Sequence, residues 1–369
     1  MCRTARLAAE GALALAMALG PARALAMDPP PGKKSAPPQT VLTVVPTASG
    51  GDRIVRCLPD GTSVPVAGAT AAADDAEAFA EDVPALEARL VGVSQAVQAG
   101  ETLFFAERNR VRRIGPDQRV ATAATAEGFV TALAVSPRDG TVVFSSQSAK
   151  GAWLVQRINP AGQVEVIVGP ASSRAAFAHL PHPLRNRVNS LAFTPAGDLL
   201  VAENGTPGKA GQGSIHRLRA GGPGGPAWLP LVRIAGGGAR PPSATPSLGH
   251  QVDLDAPGSL AGAPDGGCYF VHCMHRESKG ASLLQAYGQQ VCRLEVSGRI
   301  TALAGGLEET KGDPGTWTPQ TWLPLASGSD ITQLRVLPDG SLIAVLETGK
   351  QVPVPPAKTS GLAPAVPWV

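Results

Sequence analysis

The sequence predicts an all-β protein, a single propeller of four-stranded antiparallel blades. Three observations carry that prediction. The 369 residues include 43 glycines and 35 prolines, while 43% of the chain is apolar. That composition suits many short strands punctuated by turns, and is too apolar for a disordered chain. Four stretches, starting at Leu90, Phe129, Val188 and Pro257, repeat one grammar. Each holds an apolar strand, a Gly-containing turn, a second strand, a connection of variable length, a third strand, another turn and a fourth strand closing on small residues. Four antiparallel strands recurring every ~40–50 residues are the mark of a β-propeller. Finally, the two ends of this region carry half-units. "RIVRCLPDGTSVPVAG" (53–68) reads as the last two strands of a unit, and "DITQLRVLPDGSLIAVLE" (330–347) as the first two.

In chain order, residues 1–26 read as a signal peptide: Arg3 and Arg6, an apolar run, then Ala24 and Ala26 before the cut. The run is shorter than the ~20 residues a membrane span needs. The mature protein is therefore expected to be secreted or periplasmic. Residues 27–50 form a Pro-rich lead-in, 51–350 the propeller and 351–369 a Pro-rich tail. The half-units are expected to share one blade, strands at Arg53–Val66 pairing with those at Ile331–Leu346. This would seal two sheet edges and close a ring of five blades. "TVLTVVP" at Thr40–Pro46 would add a strand and make a sixth.

A formal charge of +3 with no basic stripe excludes a nucleic-acid footprint or a polybasic membrane patch. The sequence contains no G-x-S-x-G elbow, phosphate-binding loop, dinucleotide fingerprint or H-E-x-x-H. Cys57, Cys268, Cys273 and Cys292 follow the signal segment without a C-x-x-C pair, which rules out a zinc ribbon. Export permits one disulfide among them, but the strand register does not clearly set any two opposite each other, and buried apolar thiols are the simpler reading.

In a four-stranded blade, the connections before strand one and after strand two share one face. Here these are long: Ala69–Arg89, Pro170–Arg187, Asn204–Gly213, Gly236–Ala256, Met274–Gln290 and Gly305–Ser329. A binding surface for a protein, peptide or glycan is expected there. His179, His182, His250, His272 and His275 fall on it or on strand ends leading to it. Neutral imidazoles from separate loops could ligate zinc. Trp317 and Trp322 stand in one loop, as an apolar platform for a sugar or peptide or as a plug for the central opening. Arg185 lies beside the His179–His182 pair. Glu107, Ser146, Glu203 and His272 occupy equivalent ends of strand two. Carboxylates gathered there, Glu107 and Glu203, could bind calcium. Arg113, Arg157, Arg217 and Arg293 recur in strand three, where their stems would cover the sheet and their heads reach water or a turn.

"GETLFFAERNRVRRIGPDQ" and "GDLLVAENG…SIHRLRAGG" resemble the strand–turn–strand signature of the NHL-repeat propeller family, and "DVPALEARLVGV" resembles the connector before a blade in its bacterial and teneurin-like members. The resemblance spans most of 53–347. It implies a propeller, usually of six blades. It also implies that the acid at the end of strand two ties down the following loop. The family includes binding scaffolds and an amidating lyase whose metal is held by histidines, and it lies close in fold to calcium- or zinc-dependent lactonases. The function expected is therefore an exported binding module; the alternative is a metal-dependent lyase or hydrolase with its site at the central channel. Fold alone does not choose between them.

Overall fold

The computed structural model describes residues 41–355 apart from 48–49, 59–61, 70–80, 160, 170–183, 206–211, 222–227, 244, 278–284, 306, 310–316, 320–329, 338 and 348. Residues 1–26, read above as a signal peptide, and His179, His182, Trp322 and most of the tail lie outside the described residues. Six antiparallel sheets follow one another along the chain. Blade 1 comprises Val41–Pro46, Asp52–Cys57 and Ser63–Ala67; blade 2, Val93–Ala99, Thr102–Glu107, Arg110–Ile114 and Arg119–Thr125. Blade 3 comprises Val130–Val135, Val142–Gln147, Trp153–Ile158 and Val164–Val168; blade 4, Val188–Phe193, Leu199–Glu203, Ser214–Ala220 and Trp228–Gly236. Blade 5 comprises Ala256–Gly262, Cys268–Glu277, Gln285–Leu294 and Arg299–Gly305; blade 6, Ile331–Val336, Leu342–Leu346 and Gln351–Val354. Short strands Val83–Pro84 and Ser247–Leu248 extend the outer edges of blades 2 and 5. A single 3-10 turn, Gly249–Gln251, is the one helical element among the described residues, and none there is long and apolar enough to cross a membrane.

Six apolar clusters cement six blade-to-blade contacts, which makes the sheets a closed, six-bladed propeller. Leu42, Ile54 and Phe105 join blades 1 and 2; Phe144 and Val111 join blades 2 and 3. Leu199 and Val155 join blades 3 and 4; Ile215 and Phe270 join blades 4 and 5. Val291 and Ala344 join blades 5 and 6. Val55 and Cys57 meet Ile343 and Val345 between blades 1 and 6. Because both faces of a middle blade are covered, its strands are apolar on both sides, as the second strand of blade 4 shows: Leu199–Glu203 is buried at every residue. Each fully buried Leu, Ile or Phe contributes about 1.5–3 kcal/mol.

The closure differs from the expected one. Val41–Pro46 pairs with Asp52–Cys57, from Val41 opposite Cys57 to Pro46 opposite Asp52. Gln351–Val354 pairs with Leu342–Leu346. Each local strand takes the edge that the opposite end of the chain would have used, so the half-units stand in separate neighbouring blades and the ring has six, not five. Each half-unit thus pairs with a strand close to it along the chain, and the contact that spans the chain is made by packing between blades 1 and 6 instead. The propeller accordingly reaches past 51–350 at both ends.

Two irregularities repeat around the ring. In blades 1 to 5 the pairing of the third and outer strands slips by one residue, for instance between Ile54 and Val55, Val111 and Arg112, and Ile215 and His216. The outer strand then ends on a residue pressed against the start of strand three. At Gly68 (φ +103°) a Cβ would sit 2.6 Å from the Asp52 carbonyl oxygen, and Gly236 and Gly305 are crowded in the same way. This is why the fourth strands of blades 1, 4 and 5 close on glycine. The second irregularity is a bulge in the inner strand, between Val93 and Gln95, Val188 and Ser190, and Ile331 and Gln333, among others.

Candidate functional site: the mouth of the central channel

The inner-strand bulges build the site. A bulge leaves residues without a cross-strand partner and frees backbone groups of the inner strand. Side chains of the preceding blade take up several of them. Gln95 Oε1 accepts the Leu133 N–H at 2.9 Å, Ser190 Oγ the Leu260 N–H at 2.9 Å, and Ser259 Oγ the Leu334 N–H at 2.7 Å. Thr131 Oγ1 donates to the Val188 carbonyl at 2.7 Å, and Ser94 Oγ to that of Val130 at 3.1 Å. Ser259 sits at φ +35°, a left-handed backbone that a non-glycine residue holds only at a cost. The inner ring is thus stitched by polar side chains as well as packed.

These residues line a cavity of ≈ 390 Å³ at the end of the inner strands where the long connections enter. Its wall carries hydroxyls and amides, including Ser94, Thr131, Asn189, Thr332 and Gln333. Two carboxylates, Asp52 and Glu347, stand on the side where blades 1 and 6 meet. Asp52 Oδ2 accepts the Val93 N–H at 2.8 Å; Glu347 is exposed. Blade 1 has no strand inside Val41–Pro46 among the described residues, so Leu42, Thr43 and Val44 line this sector directly. Because Ser94, Thr131, Asn189 and Thr332 already donate to groups of the protein, such a wall offers chiefly their oxygens as acceptors, the Gln333 amide and a modest negative side. It suits a neutral polyhydroxylated or amide-bearing ligand.

The ends of strand two lie deeper. Glu107 is 2% and Glu203 3% exposed, in blades 2 and 4 with blade 3 between them, so the fold does not bring the two carboxylates together. Glu107 Oε1 accepts the Val91 N–H at 2.9 Å. Glu203 Oε1 accepts the backbone N–H groups of Arg185 and, at 2.7 Å, of Asn186. His272 Nε2 accepts the Asp255 N–H at 3.0 Å. In each case the anchored segment is the one leading into the inner strand of the same blade, rather than the loop that follows. Arg185 enters this arrangement through its main chain; its side chain is exposed.

The two carboxylates titrate in opposite directions. Burial pushes Glu107 up, and the Val91 N–H and the Arg112 guanidinium, 3.4 Å away, recover only part of that. Burial also works to raise Glu203, but His216 and the Asn186 and Arg185 N–H groups together hold it below the usual carboxylate value. His216 was the one histidine outside the candidate set. It is buried in strand three, with Nε2 2.9 Å from Glu203 Oε2 and 2.8 Å from Ser214 Oγ. Serine, histidine and acid do not form a nucleophilic triad here, because hydroxyl and carboxylate meet the same ring nitrogen; a relay needs them on opposite nitrogens. Position 216 matches Arg112 and Gln156 in the other blades. The Gln156 amide oxygen likewise accepts from Ser146 Oγ, at 3.0 Å. Aligning the repeats on the strand-three bulge would have exposed this recurring polar partner.

Among the remaining candidates, His250 is exposed on the Gly249–Gln251 turn and His272 is wholly buried in blade 5. His275 continues the strand of His272. No group of three or more His, Cys, Asp or Glu able to hold a metal occurs among the described residues. Met274–Gln290, expected as a loop, is largely strand: pairing continues from Cys273 opposite Gln289 to Glu277 opposite Gln285, so a long hairpin projects from blade 5. Trp317 lies on a strand, Trp317–Pro319, paired with Leu307–Glu309 beside that hairpin. Three of the four arginines of the series behave as scaffold: Arg157 pairs with Glu165, Arg217 with Asp198 and Arg293 with Asp265, while Arg113 is exposed. Cys57, Cys268, Cys273 and Cys292 are free thiols, with Phe270, not a cysteine, opposite Cys292. Burial raises the Cys268 thiol to about 12 and pushes Cys292 up as well, so neither is a nucleophile.

The fold and the polar channel define the class as a six-bladed β-propeller. No family model and no curated protein matches the chain, so the NHL likeness remains a resemblance of motifs. Among solved structures, a gluconolactonase from Xanthomonas campestris is similar at 14% identity over 88% of this chain and 89% of its own, with a TM-score of 0.43. TolB from Acinetobacter baumannii is similar at 12% identity over 85% and 63%, TM-score 0.44. The calcium-binding protein regucalcin from Agrobacterium tumefaciens is similar at 14% over 74% and 77%, TM-score 0.40. At these scores the likenesses carry no argument about activity.

Proposed function

We propose that this protein is an exported binding module that takes a glycan or peptide at the channel mouth, on the face where the long connections enter. The observation behind this reading is the ring of hydroxyl and amide side chains from successive inner strands around a ≈ 390 Å³ cavity. Such a wall orients a polar ligand through several weak hydrogen bonds, each worth about 0.5–1.5 kcal/mol. Trp317 and Trp322, from the connection before blade 6, would add an apolar platform for the same ligand. The test starts from a glycan and peptide array. Gln333→Ala and Glu347→Gln should each raise the dissociation constant of the ligand it reveals about tenfold, and Trp317→Ala with Trp322→Ala should raise it further. Unchanged affinity in the channel variants would refute the site. A metal-dependent lyase or hydrolase using the sequence's histidines is the competing reading. Stoichiometric zinc or calcium in protein purified without a histidine tag would favour it.

A further inference from the structure

Blade 1 differs from its neighbours at the channel. Its three strands match strands two, three and four of the other blades: the slip between Ile54 and Val55 is the one between strands three and four, and Gly68 closes the fourth. Among the described residues Val41–Pro46 is therefore an inner edge, where blades 2 to 6 each set a further strand against the channel. The ladder fixes which groups that edge presents, because bonded and non-bonded pairs alternate along two antiparallel strands. The Thr47 N–H donates to the Gly51 carbonyl at 2.8 Å, so Val45 and Thr43 exchange bonds with Arg53 and Val55. The N–H and C=O groups of Leu42 and Val44 then point away from Asp52–Cys57, and both residues line the channel cavity. A sheet edge of this kind is a template for another strand.

The flanking blades carry the means to hold one. At three junctions a polar side chain of one inner strand accepts an N–H of the next: Gln95 from Leu133, Ser190 from Leu260 and Ser259 from Leu334. Gln333 follows the bulge of blade 6 as Gln95 follows that of blade 2. It borders the cavity, and among the described residues blade 1 sets no inner strand beside it. One residue earlier in the series, Thr131 and Asn189 donate to carbonyls of the following blade. Thr332 instead turns back to the Val345 carbonyl of its own blade, at 3.2 Å.

We propose that an extended peptide segment of a partner, with a positively charged N-terminal end, adds here as the innermost strand of blade 1, antiparallel to Val41–Pro46 and stitched by Gln333. The inference rests on the channel-mouth reading and narrows its ligand to a peptide. Main-chain hydrogen bonds to the Leu42 and Val44 edge supply the affinity. The lead-in of this chain is a poor candidate for the place: residues 28–40 hold prolines at 29–31, 37 and 38, and proline cannot donate to a ladder. Inner strands run inward from the face of the long connections, so the N-terminal end of the peptide lies at that face, where Asp52 and Glu347 border the cavity. A free amino group or a basic residue complements those carboxylates.

The probe is the heptapeptide RVNSLAF, copied from Arg187–Phe193 of blade 4. Titrated into the full chain, it should saturate at one per chain. Methylating the backbone nitrogens along one of its edges should weaken it at least tenfold, and methylating those along the other edge should not. Gln333→Ala should weaken it severalfold, and so should acetylating its amino end. Hydrogen exchange followed by NMR should find the Leu42 and Val44 amides unprotected in the free chain and protected with peptide. Binding equally indifferent to both methylation patterns would overturn the proposal. So would amides already protected without peptide, the sign that a segment of this chain fills the place. Failure of the peptide to saturate overturns it as well; a glycan that then binds, and is lost with Glu347→Gln, would leave the channel-mouth reading standing alone.

Discussion

Blades 2 and 4 hold a glutamate at the same place and treat it differently. Glu107 and Glu203 both end a second strand, both are buried, and both anchor the segment entering their own blade. Glu107 meets one backbone N–H and a guanidinium at 3.4 Å, itself 1% exposed and pulled down by burial. Its environment disfavours charge on both partners. Glu203 meets two backbone N–H groups, the Ser214 hydroxyl at 3.1 Å and His216 at 2.9 Å. Its charge is dispersed over short hydrogen bonds. The lesson is that the number and closeness of donors, more than the presence of a formal counter-charge, decide whether a buried carboxylate stays ionised.

Removing the better-solvated group should cost most. Glu203→Ala strands His216, Ser214 and two backbone donors, and should lower stability by about 3–5 kcal/mol in denaturant unfolding. A loss under ~1 kcal/mol would mean water replaces the carboxylate and the site is not closed. Amide substitution sharpens the contrast at neutral pH. Glu203→Gln should cost about 1–3 kcal/mol, whereas Glu107→Gln should cost less, because the burial penalty it relieves offsets the amide N–H2 it turns toward Arg112 while an acceptor for Val91 remains. Equal losses would erase the distinction between the blades.

The pH dependence follows with opposite signs. Glu203 is held below the ordinary value of 4.5, so its contribution is present above that value and is lost as pH falls through the folded-state value. The advantage of the parent over Glu203→Gln should therefore shrink in acid. Glu107 is raised above 4.5, so its contribution is present below that value and is lost as pH rises through the folded-state value. Glu107→Gln should therefore gain on the parent as pH climbs. Parallel curves for both variants between about pH 3 and 8 would contradict the assignment. A small effect also belongs to Ser214→Ala, which removes one of several donors to Glu203 and should cost about 1 kcal/mol.

Much of this was readable beforehand. The repeat grammar announced the blades, and the glycines closing the fourth strands, Gly236 and Gly305 among them, mark where a Cβ would strike backbone. The acid at the end of strand two was legible as an anchor. Its target and His216 were not, because the partner lies on another strand and its identity changes from blade to blade: Arg112, Gln156, His216. The channel residues left a faint trace in the openings "VSQ", "VTA", "VNS" and "ITQ". Read as strands, those polar residues alternate unremarkably; only a bulge turns them toward the axis.

The sequence by itself determined the strands, their turns and the four-stranded repeat, because these rest on alternation, positive-φ turn residues and contacts close along the chain. Tertiary structure alone decided the number of blades and the seam. Val41–Pro46 and Ile331–Leu346 both suit the strands at Arg53–Val66, and local pattern does not rank two partners of similar character. In the folded protein each half-unit keeps its local partner, and six sheets rather than five meet the geometric demand that the ring close on itself through Val55, Cys57, Ile343 and Val345.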